Sequence, residues 1–271
     1  MRSNPSSRRT RIAVSAILSL AAVLVGCDTP GKDDTARWAP EKLYAEAKSE
    51  AESGNYDKAV KLYERLEGRA AGTLLAQQAQ IDRAYYLWKS GEKAQGLSTL
   101  ERFIKLHPTS GALDYALYLQ GLMNFNDSLG LLGSLAGQDI SQRDQQASRD
   151  AYQSFRQLVE QFPQSTYAED ARLRMNYIVN SLAAYEVHVA RYYLRRGAYV
   201  AAANRAQQAV QEYQQSPSTQ EALVILAQSY DKLGLTGLRD DTERVLKTNF
   251  PNATINVDAS GKPASPWWKL W

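Results

Sequence analysis

Chemistry at a protein surface needs a nucleophile, a base or a cluster of metal ligands, and this chain of 271 residues offers few. It holds one cysteine, Cys27, and two histidines, His107 and His188. It carries no HExxH motif, phosphate loop, nucleophile elbow or metal-ligand spacing. His107 stands beside Pro108 at an expected helix end, a capping context. His188 falls inside an expected long helix, where a surface or packing role accounts for it. Carboxylates lie beside bases, as in Glu41-Lys42 and Glu64-Arg65, the pattern of solvated helix faces. Asp144, after Ser141-Gln-Arg143, suits a helix N-cap. The expectation is no catalytic residue, no metal site and no cofactor, which leaves Cys27 as the one reactive group.

Cys27 sits where an export signal ends. Arg8-Arg9-Thr10-Arg11 forms a basic region, Ile12 to Val25 an apolar run of about 14 residues, and Gly26 a small residue at the cut. A membrane-spanning helix needs about 20 apolar residues, so the run fits a signal better than a span. The string Leu24-Val25-Gly26-Cys27 looks like a bacterial lipobox, in which the thiol takes a diacylglyceryl group and the peptide is cut between Gly26 and Cys27. The new amino terminus is usually acylated as well, and two or more chains give stable anchoring. The mature protein is therefore expected to be a domain tethered to a membrane by its first residue.

The formal net charge of +3 falls to −1 once the four arginines of residues 1–26 are removed, since that stretch holds no acid. The apparent basicity belongs to the signal, and nothing in it argues for nucleic acid. Lipidation of Cys27 leaves no thiol, which excludes disulfides and thiolate chemistry within one chain. The remaining 245 residues or so are rich in Ala, Leu, Gln and Arg, strong helix formers, and lack alternating Val/Ile/Thr runs.

What positions any functional side chain here is a repeat. Gly54-Asn-Tyr56-Asp-Lys-Ala59 and Gly197-Ala-Tyr199-Val-Ala-Ala202 share Gly-x-Tyr-x-x-Ala. Gly91 and Gly234 hold the same place in two further units, and Ala47, Ala84, Ala190 and Ala227 lie seven residues before the four glycines. Pro108, Pro163 and Pro251 close units, and Ala151-x3-Phe155 completes a fifth. This is the tetratricopeptide pattern of two antiparallel helices per roughly 34 residues. Small Ala lets paired helices approach, Gly ends the first helix in a left-handed conformation, and Pro ends the second. The expected fold is all-α, a right-handed superhelix of about five tetratricopeptide hairpins over residues 40–251. Helices are expected at 40–53, 56–69, 73–90, 93–106, 110–126, 145–161, 165–196, 198–214, 218–233 and 236–250, with 165–196 as one long helix.

Three segments fall outside the repeat. Residues 27–39 read as a polar, lipidated tether. Residues 127–144 interrupt the third unit with Ser-Leu-Gly-Leu-Leu-Gly-Ser-Leu-Ala-Gly, either a functional insert or a loop tucked onto its own repeat. Residues 252–271 end in Pro266-Trp267-Trp268-Lys269-Leu270-Trp271, which suits capping of the solenoid, partner docking or a headgroup anchor.

Such a solenoid works by binding, and Tyr and Arg are the usual interface anchors. They are densest at Tyr185, Arg191, Tyr192, Tyr193, Arg195, Arg196, Tyr199, Asn204 and Arg205. Tyr193 and Tyr199 hold packing positions of the repeat. Arg196 and Arg205 have no structural duty in it and, with Asn204, are the expected partner contacts.

Several strings go beyond the repeat consensus: Glu101-Arg-Phe-Ile-Lys-Leu-His-Pro108, Leu113-Asp-Tyr-Ala-Leu-Tyr-Leu-Gln-Gly-Leu122, Arg143-Asp-Gln-Gln-Ala147, Phe162-Pro-Gln-Ser-Thr-Tyr167, Leu182-Ala-Ala-Tyr-Glu186, and Tyr192-Tyr-Leu-Arg-Arg-Gly-Ala-Tyr-Val-Ala-Ala-Ala-Asn-Arg205. With these the chain resembles the BamD family of outer-membrane barrel-assembly lipoproteins over roughly residues 40–250. The resemblance implies a non-enzymatic role in inserting β-barrel proteins into the outer membrane. It implies binding of a BamA-like, POTRA-bearing barrel subunit through the C-terminal repeats, where Arg196 and Arg205 match. Other Bam lipoproteins are implied partners, and unfolded β-barrel clients would be received by residues 40–107. Asp28 departs from the expected pattern, because Asp after the lipidated cysteine is an inner-membrane retention signal in some bacteria. Two other tetratricopeptide lipoprotein roles compete: recruiting cell-wall enzymes, or piloting a secretin.

Overall fold

The computed structural model describes residues 34–125 and 142–253. Among the described residues there are ten α-helices and no strand. They are α1 (Pro40–Glu52), α2 (Tyr56–Arg69), α3 (Leu74–Lys89), α4 (Lys93–Leu106), α5 (Leu113–Asn124), α6 (Gln142–Gln161), α7 (Ala168–Arg195), α8 (Tyr199–Glu212), α9 (Thr219–Lys232) and α10 (Thr236–Asn249). Consecutive helices pair as α1/α2, α3/α4, α5/α6, α7/α8 and α9/α10, and each pair stacks on the next. The result is the all-α tetratricopeptide superhelix that the repeat spacing predicts.

The repeat glycines do what their type allows. Gly54, Gly91, Gly197 and Gly234 have φ between +72° and +93°. After each, an amide closes back onto the helix: Asn55 N–H to Glu50 O, Glu92 to Leu87, Ala198 to Tyr193 and Leu235 to Tyr230, at 2.8–3.0 Å. This six-to-one bond satisfies a carbonyl that the helix end would leave orphaned. The four repeat alanines, Ala47, Ala84, Ala190 and Ala227, are buried where paired helices meet. Gly121 makes a closer approach still: a Cβ there would lie 2.4 Å from the Phe155 ring, which is fully buried.

Four apolar clusters follow one another along the stack, each built from more than one hairpin. Leu43, Leu62, Tyr63 and Leu66 join α1 and α2 to Ala76 and Ala79 of α3. Ile81, Leu100, Phe103 and Leu119 join α3 and α4 to α5. Because no single hairpin covers its own apolar face, stacking supplies the core. The 28-residue α7, about 42 Å long at 1.5 Å per residue, belongs to two clusters. Its first half packs Ile178 and Leu182 with α5 and α6, and its second half packs Val187 and Ala190 with α8 and α9.

The structure departs from sequence expectation in three places. The helix expected from residue 145 begins at Gln142, so Asp144 lies inside its first turn and is not an N-cap. Residues 34–39, read as tether, are docked: Asp34–Arg37 form a 3-10 turn, and the Arg69 guanidinium donates to the carbonyls of Thr35 (2.9 Å) and Trp38 (2.7 Å). Lys42 covers the Trp38 ring at 4.2 Å. Helices expected at 110–126 and 165–196 are shorter, Leu113–Asn124 and Ala168–Arg195, because turns at Ser110 and Ser165 precede them. Gly26, Cys27, Asp28, most of the insert and the Trp-rich end lie outside the described residues.

Candidate partner-binding surfaces

The first surface is the turn between α7 and α8, where Gly197 at φ +74° reverses the chain. Arg196 caps α7 and is exposed, with its guanidinium 5.4 Å from the centre of the Tyr192 ring. Tyr192 is 45% exposed and Val200 61%. Asn204 is exposed one turn after Val200, on the same face of α8. Tyr193 packs against the α7/α8/α9 core, and Tyr199 is partly buried. Arg191 does not belong to this open surface, since it pins α7 to α9 through Glu221 (Nε to Oε1, 2.7 Å).

Arg205 corrects the expectation that it has no structural duty. Its Nη1 lies 3.0 Å from Oε2 of Glu186, and the Glu186 side chain is 2% exposed. A buried carboxylate needs such a partner, and removing one member of a buried pair is strongly destabilising. Arg205 therefore holds α8 to α7, with its own side chain 40% exposed. Of the three expected contacts, Arg196 and Asn204 are open and Arg205 is committed inward. The signal for this was Glu186 itself, an acid at a buried helical position among Ala183, Val187 and Ala190.

The second surface was not singled out from the sequence. Tyrosines of α1 to α5 form a strip: Tyr44 edge-on to Tyr63 (5.8 Å), Tyr63 stacked on Tyr86 (5.9 Å), Tyr86 on Tyr56 (5.7 Å), and Tyr85 against Tyr86 (5.1 Å) and Trp88 (6.2 Å). It continues through Tyr115, Tyr167 and Tyr118. Two carboxylates lie in it. Asp82 of α3 accepts from the Tyr44 hydroxyl (3.0 Å) and the Gln78 amide (2.9 Å). Asp170 of α7 accepts from the Tyr118 hydroxyl (2.7 Å) and Arg174 Nε (2.5 Å).

Their electrostatics run in opposite directions. Burial pushes the Asp82 carboxyl above its ordinary value, and the Gln78 and Tyr44 hydrogen bonds, with the weaker pull of Lys48, only partly offset it. Burial pushes Asp170 up as well, but the hydrogen bonds from Arg174 and Tyr118 and the Arg174 charge outweigh it, and the net is down. Burial, then the Asp82 charge, pushes the hydroxyls of Tyr44 and Tyr115 up to about 12. The same two causes raise Tyr63 and Tyr86.

His107 is the C-cap of α4 with its ring 5.1 Å from that of Phe103, and His188 is exposed. Among the described residues no group of three or more His, Cys, Asp or Glu is placed to hold a metal ion. No helix among them is long and apolar enough to cross a membrane.

The outer membrane lipoprotein family YfiO matches residues 37–245. The chain is 48% identical to outer membrane protein assembly factor BamD of Neisseria meningitidis, over 94% of this chain and 97% of that one. The chain belongs to the BamD family. BamD of Neisseria gonorrhoeae is 47% identical with the same coverage, and BamD of Xylella fastidiosa is 35% identical over 88% of this chain and 82% of its own. The family match begins with the docked Arg37 and ends within α10, so it takes in both surfaces, and the Trp-rich end of this BamD-family chain lies beyond it.

Proposed function

We propose that this chain is a lipid-anchored, non-enzymatic scaffold subunit of the β-barrel assembly machinery at the periplasmic face of the outer membrane. The observation that carries this reading is likeness along 94% of the chain to proteins named outer membrane protein assembly factor BamD. Cys27 is the acylated anchor, and cleavage falls after Gly26. The tip of the fourth hairpin, with Tyr192, Arg196, Val200 and Asn204, docks the POTRA region of a BamA-like barrel subunit. An exposed tyrosine with an arginine over its ring and an apolar neighbour is the composition expected of an interface anchor. Arg205 acts behind that surface by fixing α8. Unfolded β-barrel clients are received on the tyrosine strip of the first two hairpins, within residues 40–107, and other Bam lipoproteins complete the assembly.

The test is affinity purification of the lipidated protein from native membranes after crosslinking. A POTRA-bearing barrel subunit, crosslinked near residues 192–204 and lost in Arg196→Glu, is the expected result. Recovery of cell-wall enzymes or a secretin in its place would overturn the function and leave the fold. Charge reversal at Arg205 is the poorer probe, because it would set a second carboxylate against the buried Glu186. Cys27→Ser is expected to release the protein from membranes into the soluble fraction.

A further inference from the structure

Asp82 and Asp170 are held in the same way and finished differently. Each takes a tyrosine hydroxyl from the first helix of the preceding pair: Tyr44 of α1 for Asp82, Tyr118 of α5 for Asp170. Asp170 then finds a guanidinium one turn on, Arg174. One turn on from Asp82 the chain places Tyr86. Among the described residues the hydrogen-bond donors to Asp82 are both neutral, Tyr44 and Gln78. Lys48 is the weakest of the influences on it, and lies 4.0 Å from the Glu52 carboxylate in an exposed pair. A carboxylate drawn partly out of water with neutral donors alone keeps a charge that calls for a cation. The groups around it agree: Tyr44, Tyr63, Tyr86 and Tyr115 all feel its charge, and ring faces attract cations. Carboxylate and rings together select against an anion.

We propose that Asp82 and its tyrosines form a cation subsite that takes the lysine or arginine side chain of an extended client segment. The aliphatic stem of such a residue lies along the rings while its charged end reaches Asp82. The ligand thus supplies in trans what Arg174 supplies to Asp170 in cis. The subsite rests on reading the first two hairpins as the client-receiving region, and it names the chemistry read there.

The experiment uses the lipidated full-length protein in detergent and two fluorescent ten-residue peptides of alternating valine and serine. The peptides differ at one central position, lysine in one and norleucine in the other. Fluorescence anisotropy at low ionic strength is expected to give about tenfold tighter binding for the lysine peptide, with the advantage shrinking as salt is added. Asp82→Asn keeps an acceptor for Tyr44 and is expected to abolish the advantage without changing helical content or norleucine-peptide affinity. Tyr86→Arg, which places the missing cation one turn on, should abolish it as well. Equal affinity for the two peptides, or a lysine preference that survives Asp82→Asn, overturns the subsite. Copurification of the barrel subunit is measured alongside. Asp82→Asn is expected to retain it, and its loss would assign Asp82 to docking and overturn the subsite. If the wild-type protein recovers no barrel subunit while the lysine preference holds, the proposed function fails and the subsite stands.

Discussion

The joint between the first two hairpins and the joint between the third and fourth use one device, a tyrosine hydroxyl bonded across to an aspartate. The Asp170 joint closes the device with Arg174 and is electrostatically complete. The Asp82 joint has Tyr86 at the matching place and keeps an unmatched carboxylate among aromatic rings. One side chain separates a structural bridge from a surface able to bind. Glu186 marks the far end of this series, an acid fully buried and matched by Arg205 from the next helix.

Removing or supplying the cation at each position breaks the comparison or sharpens it. Arg205→Ala should have the largest effect, because it leaves Glu186 buried and unpaired. The expected loss is about 3 kcal/mol, read as a lower urea midpoint by circular dichroism. An unchanged midpoint would remove Glu186 from the series. Arg174→Ala takes the cation from Asp170 and should cost at most about 1 kcal/mol at neutral pH, since the Asp170 side chain is 44% exposed and solvent screens the pair. Here the sign follows from the lowered carboxyl. Its stabilisation is full above the unfolded carboxylate value and is lost as pH falls through the lower folded value. Wild type and variant should therefore converge in acid, and a difference that persists at pH 2 would count against the ion pair.

Tyr86→Arg is the converse change and should exchange ring stacking for an ion pair with little net change in stability. Its signature is spectroscopic: the Asp82 carboxyl should titrate at lower pH in a carbon-detected NMR titration. No shift would mean that the arginine does not reach it. Asp82→Asn should have a small effect on stability, of opposite sign to the two arginine removals. The raised Asp82 carboxyl favours the neutral form in the fold. That contribution is full below the unfolded value and is lost as pH rises through the folded one. At pH 7 the neutral amide should therefore raise Tm by about 2 °C, a gain that vanishes below about pH 4. A lower Tm at pH 7 would show that the charge is matched after all.

Much of the fold was legible because its signals are local. A glycine seven residues after a buried alanine announces a helix end whichever neighbours later stack on it, and all four such glycines have positive φ. The unbroken α7 was legible because nothing between Ala168 and Arg195 interrupts a helix. The candidate sites were legible in part. Arg196 and Asn204 stand open at a turn that the repeat locates. Arg205 looked free because its partner lies nineteen residues away on another helix. Asp82, next to Arg83, has nothing in its local sequence to set it apart from surface charge, since its tyrosine donor is thirty-eight residues distant.

The sequence by itself determined the helix pairs, their order and the small residues at their contacts, because periodicity and backbone preference act within one or two turns of chain. It also carried the lipobox-like string Leu24-Val25-Gly26-Cys27, a signal made of neighbouring residues and so readable without the fold. Only the tertiary structure decided which charges are matched. Whether a carboxylate meets an arginine, a tyrosine or water depends on which helix faces the stacking brings together. The cost of leaving it unmatched depends on how far the same stacking withdraws it from solvent.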